Sequence, residues 1–363
     1  MKPAALLASM LLMAACGSGG HPTGALTSPS GSPTASASVE SSASPSAVPA
    51  VLCSASNRCL ALVTLRGSNG VAVRDITDIN HPVTVSTLPT LTPVFVTGTE
   101  LSYADDTTLY RMPLSGSPKT IVAKANGMRL FGWSSDGSTA GYLTADGLHV
   151  VTASRDQTFG APLNEPAGAY GCESYVCGDT WDARLAFSPD GAYISVLVLS
   201  GPWTGFRIWS SDGKLLPSPT SQAPTMSVWS GRTFYFRDTN GVEAWRDGVT
   251  SVVLPGVQWI RPKSSPAGGG IVYEARDGSG LPHVYLVDTV THEVSDLKAG
   301  RTAPAFLTSR YVWYAGERLC VSSDPCVTGP TIPTGKTYIY DLQTGTEYES
   351  IITNVYDVWP HAA

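Results

Sequence analysis

A short phrase that returns along the 363-residue chain constrains its fold more than any other feature. An apolar run ends in an aromatic residue, a Ser-x-Asp-Gly-like turn follows, and another apolar run begins. The clearest copies lie at 131–137 and 185–191, and weaker copies lie at 228–231 and 265–268. In the turn 188–191 the proline presets the backbone of the second position, and the glycine accepts a positive φ at the fourth. Repetition of this kind predicts one supersecondary unit that is used many times.

A second pattern, an alternating strand that ends near a turn, gives an independent count of these units. It occurs seven times, at 71–75, 109–112, 148–151, 206–209, 242–245, 283–288 and 338–341. The aromatic anchors also number seven, near Phe95, Trp133, Phe187, Trp229, Trp259, Phe306 and Trp359. The two series are offset, because no anchor precedes the first strand and no such strand follows Trp359. A strand at 355–359 is therefore expected to complete the first unit, which closes a ring and removes the exposed sheet edge.

These counts predict an all-β fold. We expect a single β-propeller over residues 51–363, with seven four-stranded blades and the C-terminal strand closing the first blade. Six and eight blades are the alternatives, and a β-sandwich of successive hairpins explains the offset less well. The 36 glycines and 27 prolines agree with many short strands. No segment after residue 50 has apolar residues at the 3.6-residue spacing of an amphipathic helix.

Three segments resemble the WD40-like repeats of TolB-type β-propellers. They are Phe-Ser-Pro-Asp at 187–190, the segment 265–273, and Val-Tyr-Leu-Val-Asp at 284–288. Residues 71–85 instead resemble the LVIVD type of propeller repeat, with Asp-Ile-Thr-Asp at 75–78. The resemblance implies a propeller fold and a scaffold role, and it supplies no catalytic motif.

The N-terminus has the features of an export signal. After a basic start, the apolar run at 4–13 is too short to cross a bilayer, which takes about 20 residues. Met-Ala-Ala-Cys at 13–16 resembles the lipobox of bacterial lipoproteins. The resemblance implies a signal peptide at 1–15 and a lipidated Cys16 that carries acyl chains such as palmitate. An ordinary signal peptide is the alternative.

Residues 16–50 are predicted to form a disordered tether behind the lipid. Positions 17–50 are almost wholly Gly, Ser, Pro, Thr and Ala, with Glu40 as the only carboxylate and no lysine or arginine. This composition offers no apolar face that a fold could bury. Such a tether would hold a folded head away from a membrane.

Six further cysteines fall into three close pairs. The pairs are Cys53 with Cys59, Cys172 with Cys177, and Cys320 with Cys326. The spacing favours three local disulfides, although six cysteines allow fifteen connectivities. No pair has the Cys-x-x-Cys spacing that is typical of zinc sites. Disulfides indicate an oxidising, extracytoplasmic compartment, either the cell surface or the periplasm.

Composition and motifs disfavour several other functions. Charged residues make up 14% of the chain and the net charge is −6, so there is no basic footprint for nucleic acid. No Gly-x-Ser-x-Gly motif of a serine hydrolase occurs. The turns 238–241 and 277–280 lack the further acidic ligands of a calcium loop, and Asp105 with Asp106 fits a solvated turn. Three histidines lack metal-ligand spacing: His149, His283 and His292. We therefore expect neither a metal nor another cofactor.

The predicted function is that of a non-catalytic scaffold. We expect a monomeric, lipid-anchored propeller outside the cytoplasm that binds a protein or a cell-envelope polysaccharide. The predicted partner-binding loop is the cysteine-braced insertion, with Tyr170, Glu173, Tyr175 and Trp181 as contact residues. The alternative is a propeller enzyme, glycosidase- or lyase-like, that acts on carbohydrate through carboxylates in a central funnel. Two inward carboxylates about 5 to 10 Å apart would favour that alternative.

Overall fold

The structure, a computed structural model, describes residues 53, 58–64, 70–88, 94–96, 99–105, 107–144, 146–159, 185–198, 205–219, 225–324 and 329–359. All the regular secondary structure in these ranges is β-strand. The same ranges contain no helix that is long and apolar enough to cross a membrane. The strands form seven antiparallel sheets.

The strands are short and follow one another closely along the chain. The first seven are β1 (Leu60–Thr64), β2 (Val71–Asp75), β3 (Val83–Leu88), β4 (Val94–Val96), β5 (Glu100–Ala104), β6 (Thr108–Pro113) and β7 (Thr120–Lys124). The next seven are β8 (Arg129–Trp133), β9 (Ala140–Thr144), β10 (Gly147–Val151), β11 (Asp156–Phe159), β12 (Leu185–Phe187), β13 (Tyr193–Val198) and β14 (Gly205–Ser210). Eight more are β15 (Thr225–Ser230), β16 (Thr233–Asp238), β17 (Gly241–Arg246), β18 (Val249–Pro255), β19 (Ile260–Ser264), β20 (Gly270–Arg276), β21 (Pro282–Asp288) and β22 (Val294–Ala299). The last five are β23 (Arg301–Phe306), β24 (Tyr311–Leu319), β25 (Thr331–Asp341), β26 (Thr346–Ser350) and β27 (Val355–Trp359).

Each sheet is one blade of a propeller. Blade 1 has the strand order β27-β1-β2-β3, and blades 2 and 3 are β4–β7 and β8–β11. Blade 4 contains β12–β14, and Leu215 forms a bridge to Trp209 at the position of a fourth strand. Blades 5, 6 and 7 are β15–β18, β19–β22 and β23–β26.

The C-terminal strand closes blade 1, as the offset of the two sequence patterns predicts. β27 pairs antiparallel with β1, so that Leu60 lies opposite Trp359 and Ala61 opposite Val358. All seven alternating segments are third strands of their blades, and the aromatic anchors lie in or beside the first strands. The prediction of a seven-bladed propeller is therefore confirmed.

Seven apolar cores, one between each pair of neighbouring blades, show that the blades form a closed ring. The core between blades 4 and 5 contains Phe206 and Trp245, for example. The core between blades 7 and 1 contains Trp313 and Val358. Since the last of these cores joins blade 7 to blade 1, the ring has no open side.

The ring has two rims. The upper rim is the end at which first strands begin and second strands turn into third strands, as at 238–241 and 277–280. The lower rim carries the Ser-x-Asp-Gly turns. In one of them Ser188 Oγ donates to Asp190 Oδ1 at 2.7 Å, and Gly191 has a φ of 68°, which matches the predicted turn chemistry. First strands of neighbouring blades contact one another, so these strands surround the axis.

Candidate functional site

The first strands of blades 3, 5, 6 and 7 share one kind of β-bulge near the upper rim. In each bulge one non-glycine residue adopts a left-handed backbone: Leu130, Met226, Arg261 and Ala303, with φ of 44°, 48°, 49° and 52°. The pairing register shifts at each of these points. Such a conformation costs about 1–3 kcal/mol, and bulges redirect side chains next to binding sites. The recurrence makes the upper rim the candidate functional face.

Hydrogen-bond donors in the bulges of blades 6 and 7 converge on one buried carboxylate. Glu274 lies in β20, and its side chain is 1% exposed. Arg261 Nη1 lies 3.5 Å from Glu274 Oε2, and the Thr302 hydroxyl donates to the same oxygen at 2.5 Å. The backbone N–H of Ala303 also donates to it, at 3.3 Å. Because a buried charge must be paired and hydrogen-bonded, the two bulges provide what this carboxylate requires.

Arg276, at the end of β20, links Glu274 to the hairpin formed by β24 and β25. Its Nη2 lies 3.4 Å from Glu274 Oε1 and 3.4 Å from Glu317 Oε2. Its Nη1 donates to the Thr331 hydroxyl at 3.1 Å, and that hydroxyl donates to Glu317 Oε2 at 2.9 Å. We call this group the Glu274 cluster; its members are Arg261, Glu274, Arg276, Thr302 and Glu317. The cluster joins blades 6 and 7 at the upper rim.

A second carboxyl pair lies at the upper rim of blade 5. Asp238 ends β16 and Glu243 lies in β17, and the two residues are 4% and 6% exposed. The backbone N–H of Asn240 donates to Asp238 Oδ1 at 2.6 Å. Burial raises the pKa of Glu243, and the neighbouring Asp238 carboxyl raises it further. Glu243 therefore keeps its proton to a higher pH than an ordinary glutamate does, next to a second carboxyl group.

Of the three histidines singled out in the sequence, two lie between aspartates. For His149, Nδ1 lies 3.1 Å from Asp156 and Nε2 lies 3.3 Å from Asp146. For His283, Nδ1 lies 2.8 Å from Asp296 and Nε2 lies 3.4 Å from Asp277. The third, His292, lies in the turn between β21 and β22 with a φ of 59°. In the described ranges, no group of three or more His, Cys, Asp or Glu residues could hold a metal ion.

The acidic turns singled out from the sequence have ordinary turn geometry. Asp105 Oδ1 accepts the backbone N–H of Thr107 at 2.9 Å, and Asp105 is exposed. Residues 238–241 and 277–280 connect β16 to β17 and β20 to β21 as hairpin turns. Asp106 lies outside the described residues.

All four predicted contact residues and four of the predicted lipidation and disulfide cysteines lie outside the described ranges. These are Tyr170, Glu173, Tyr175 and Trp181, together with Cys16, Cys172, Cys177 and Cys326. The described residues that flank the insertion are Phe159 and Leu185, and both lie at the upper rim. The insertion therefore leaves and rejoins the described strands at the rim that carries the Glu274 cluster.

The structure contains the first of the three expected disulfides. Cys53 and Cys59 are bonded, with their Cα atoms 5.8 Å apart. Cys320 is also disulfide-bonded, at the end of the β24 strand.

Reasoning from sequence missed the Glu274 cluster. Glu274 lies in an otherwise ordinary strand segment, Ile-Val-Tyr-Glu-Ala-Arg, where a single glutamate is typical of a solvent-facing position. One signal was present, because Arg261-Pro262 and Ala303-Pro304 place a proline at the same point of two first strands. Proline within a strand indicates a bulge or an edge.

The fold and the site define a class, an all-β, seven-bladed propeller with two buried carboxylate clusters on its upper rim. No protein-family model matches the chain, and no curated protein matches its sequence. Several solved structures are similar to it. An oligogalacturonate lyase from Vibrio parahaemolyticus has 10% identity and a TM-score of 0.50, with 81% of this chain and 84% of that one covered.

Two further similar structures are longer or more distant. A prolyl endopeptidase has 13% identity and a TM-score of 0.54; the match covers 81% of this chain, which spans 48% of that protein. TolB from Acinetobacter baumannii has 12% identity and a TM-score of 0.40, with 82% of this chain and 80% of that one covered. At such identities the lyase and the endopeptidase share a fold with this chain, and the likeness says nothing more.

Proposed function

We propose that this protein is a non-catalytic, lipid-anchored binding scaffold that works outside the cytoplasm. One observation carries the proposal: the Glu274 cluster neutralises its own carboxylates. Glu274 and Glu317 share Arg276, and Arg261 approaches Glu274 from the neighbouring strand. Carboxylates held in this way tie blades 6 and 7 together and are poorly placed to act on a substrate. The upper rim is then a rigid base for the connections that rise from it, which is the arrangement that suits binding.

The proposed partner is a protein or a cell-envelope polysaccharide that contacts the insertion at the upper rim. Tyr170, Tyr175 and Trp181 are the proposed contacts, with Glu173 beside them. Tyrosine and tryptophan present large amphipathic surfaces that suit either partner.

Retention of the purified chain on isolated cell-wall polysaccharide and on immobilised envelope protein tests this proposal. A triple variant with Tyr170, Tyr175 and Trp181 changed to alanine is expected to lose at least about tenfold in affinity on the medium that retains the wild type. Ser135→Ala, in a turn of the lower rim, is the matched control. A wild-type chain that neither medium retains contradicts the scaffold proposal, and an unaffected triple variant contradicts the assignment of the loop.

The proposed location is extracytoplasmic, with a signal peptide at 1–15, a lipid on Cys16 and a tether at 16–50. The disulfide between Cys53 and Cys59 supports the compartment, since such bonds persist in oxidising surroundings. The sequence at 13–16 supports the lipid. Two or more acyl chains anchor a protein stably.

Fractionation of cells that express the full chain tests the anchor. Cys16→Ser is expected to move the protein from the membrane fraction to the soluble fraction and to abolish labelling by an alkyne analogue of palmitate. A variant that still partitions with membranes contradicts the anchor and leaves the scaffold proposal standing.

A second candidate function is catalysis on carbohydrate, which the Asp238–Glu243 pair favours. A buried glutamic acid with a raised pKa beside a second carboxyl is an arrangement that general acid–base chemistry uses. One of the similar structures is an oligogalacturonate lyase, so oligogalacturonate is a suitable first substrate, alongside neutral cell-wall oligosaccharides. This function would be established if the wild type turns over one of these substrates and the Glu243→Gln variant does not. No turnover on either class favours the scaffold.

A further inference from the structure

A groove runs along the side of the propeller between blades 1 and 2, away from the upper-rim clusters. Its volume is about 570 Å³, within the range of about 300–1,000 Å³ that is typical of ligand sites. β3 forms one wall, with Thr84, Ser86 and Thr87 along it. Met112 and Leu114 of blade 2 are buried at its base. The groove therefore combines an apolar floor with a wall of hydroxyl groups.

Blade 2 adds an aromatic pair and a cation to this groove. Tyr103 lines it and stacks on Tyr110, with the ring centroids 5.1 Å apart and the planes inclined by 24°. Lys119 Nζ lies 5.3 Å from the centroid of each ring. Hydrogen bonding to Tyr103 raises the pKa of Lys119, so the amine stays charged. Lys119 is exposed, and it forms no ion pair with a carboxylate in the described part of the chain.

Asp105 provides a hydrogen-bond acceptor in the same groove. Its Oδ1 accepts the backbone N–H of Thr107 at 2.9 Å and the hydroxyl of Thr107 at 3.1 Å. Asp105 is exposed and lines the groove with Lys119. A ligand in the groove thus meets one strong donor and one strong acceptor beside the tyrosine pair.

We infer that this groove binds an oligosaccharide. A pyranose ring has an apolar C–H face and a border of hydroxyl groups, and the groove offers partners for both. The apolar floor takes the C–H face, while Lys119 donates to hydroxyl oxygens and Asp105 accepts from hydroxyl protons. The inference rests on the proposed function, because it names a saccharide as the partner and gives it a second contact site.

An extended peptide fits this groove less well than a saccharide does. A peptide would add as a further strand to the outer edge of β3. In the pairing of β3 with β2, however, Ser86 lies opposite Val73 and Thr84 lies opposite Arg74, so Val85 forms a β-bulge. Bulges interrupt the regular row of backbone groups that strand addition needs. The polar side chains of the groove are therefore its main means of recognition.

Isothermal titration calorimetry with the purified chain tests the inference. The probes are soluble oligomers of N-acetylglucosamine, galacturonate and mannose. We expect one class to bind, and Lys119→Met and Asp105→Asn each to weaken that binding about tenfold, because each removes a charge-assisted hydrogen bond. Lys124→Met is the matched control, since Lys124 is an exposed lysine of the same blade that does not line the groove. Its affinity is expected to equal that of the wild type.

Protection of Lys119 from acetylation gives an independent readout on the unaltered chain. A bound oligosaccharide is expected to slow acetylation of Lys119, followed by mass spectrometry, and to leave Lys124 unaffected. Two results would overturn the groove as the binding site and leave the scaffold proposal standing. One is that the groove variants bind as tightly as the wild type, and the other is that Lys119 is acetylated at the same rate with and without ligand. A wild-type chain that binds none of the oligomers also overturns it, and retention on envelope protein then decides the scaffold proposal separately.

Discussion

Replacing Glu274 by glutamine removes one negative charge from between blades 6 and 7 while nearly keeping the size of the side chain. The amide oxygen can still accept the Thr302 hydroxyl. The amide nitrogen, however, faces a guanidinium group: Arg261 Nη1 lies 3.5 Å from one carboxylate oxygen, and Arg276 Nη2 lies 3.4 Å from the other. The substitution therefore leaves two cations without their shared counter-charge.

The size of the effect depends on where those cations lie. Removing one partner of a fully buried ion pair costs about 3–5 kcal/mol, because the remaining charge is left uncompensated. Here the side chains of Arg261 and Arg276 are 34% and 36% exposed, so water can solvate them in part. Arg276 also keeps its contact with Glu317. We therefore expect a smaller loss than for a fully buried pair, about 2–3 kcal/mol in the free energy of unfolding.

Urea denaturation followed by tryptophan fluorescence measures this loss. Glu349→Gln is the matched control, because Glu349 forms a 2.8 Å ion pair with Lys336 in which both side chains are 55% exposed. An exposed pair of this kind contributes about 0.2–1 kcal/mol. In thermal unfolding, the Glu274 variant is expected to melt about 5 °C below the wild type, at about 2 °C per kcal/mol for a domain of this size.

A Glu274→Gln variant that is no less stable than Glu349→Gln would refute this reasoning. A double-mutant cycle with Thr302→Val separates the contact between blades from general disruption. Thr302 belongs to blade 7 and Glu274 to blade 6, so a coupling energy of about 1 kcal/mol is expected between them. Additive effects of the two substitutions would show that the cluster does not join the blades.

Three further predictions concern the ring and its charges. Deleting residues 355–363 removes the closing strand and exposes the edge of β1. We therefore expect calorimetry to show a loss of cooperative unfolding and gel filtration to show oligomers. A variant that stays monomeric and melts like the wild type would contradict this. In Gly132→Ala a Cβ atom would lie 2.5 Å from a backbone oxygen of the neighbouring blade, which is expected to cost about 1–3 kcal/mol in chemical denaturation. Gly278→Ala, where no atom lies within 4 Å, should cost less than about 0.5 kcal/mol, and equal losses would contradict the packing argument. Hydrogen bonds from Arg310 lower the pKa of Asp341, so its contribution to stability is present above about pH 4 and is lost as the pH falls further. Asp341→Asn should therefore flatten the fall in stability at low pH, and an unchanged profile in acid denaturation contradicts this.

The blade count could be predicted from the sequence because its signals are local. A turn such as 188–191 depends on the backbone preferences of its own four residues, and Gly191 has the positive φ that those preferences require. The third-strand patterns likewise depend on alternation within one strand. Even the pairing of β27 with β1 followed from counting, because a ring of units leaves one gap that only the C-terminal strand can fill.

The Glu274 cluster could not be predicted in the same way. Its members come from four strands in two blades, β19, β20, β23 and β24, and Thr331 of β25 lies beside them. In a regular strand, side chains alternate between the two faces, and the bulges at Arg261 and Ala303 break that alternation at the positions that matter.

The sequence alone therefore determined the repeating unit, its number and the order in which the ring closes, since each follows from local turn chemistry and strand alternation. Only the tertiary structure decided which polar groups meet. Glu274 and Thr302 are 28 positions apart, and the walls of the groove between blades 1 and 2 come from β3 and from Tyr103 to Lys119. Contacts of this kind depend on how blades are packed against one another, and blade packing is set by side chains that are distant in sequence.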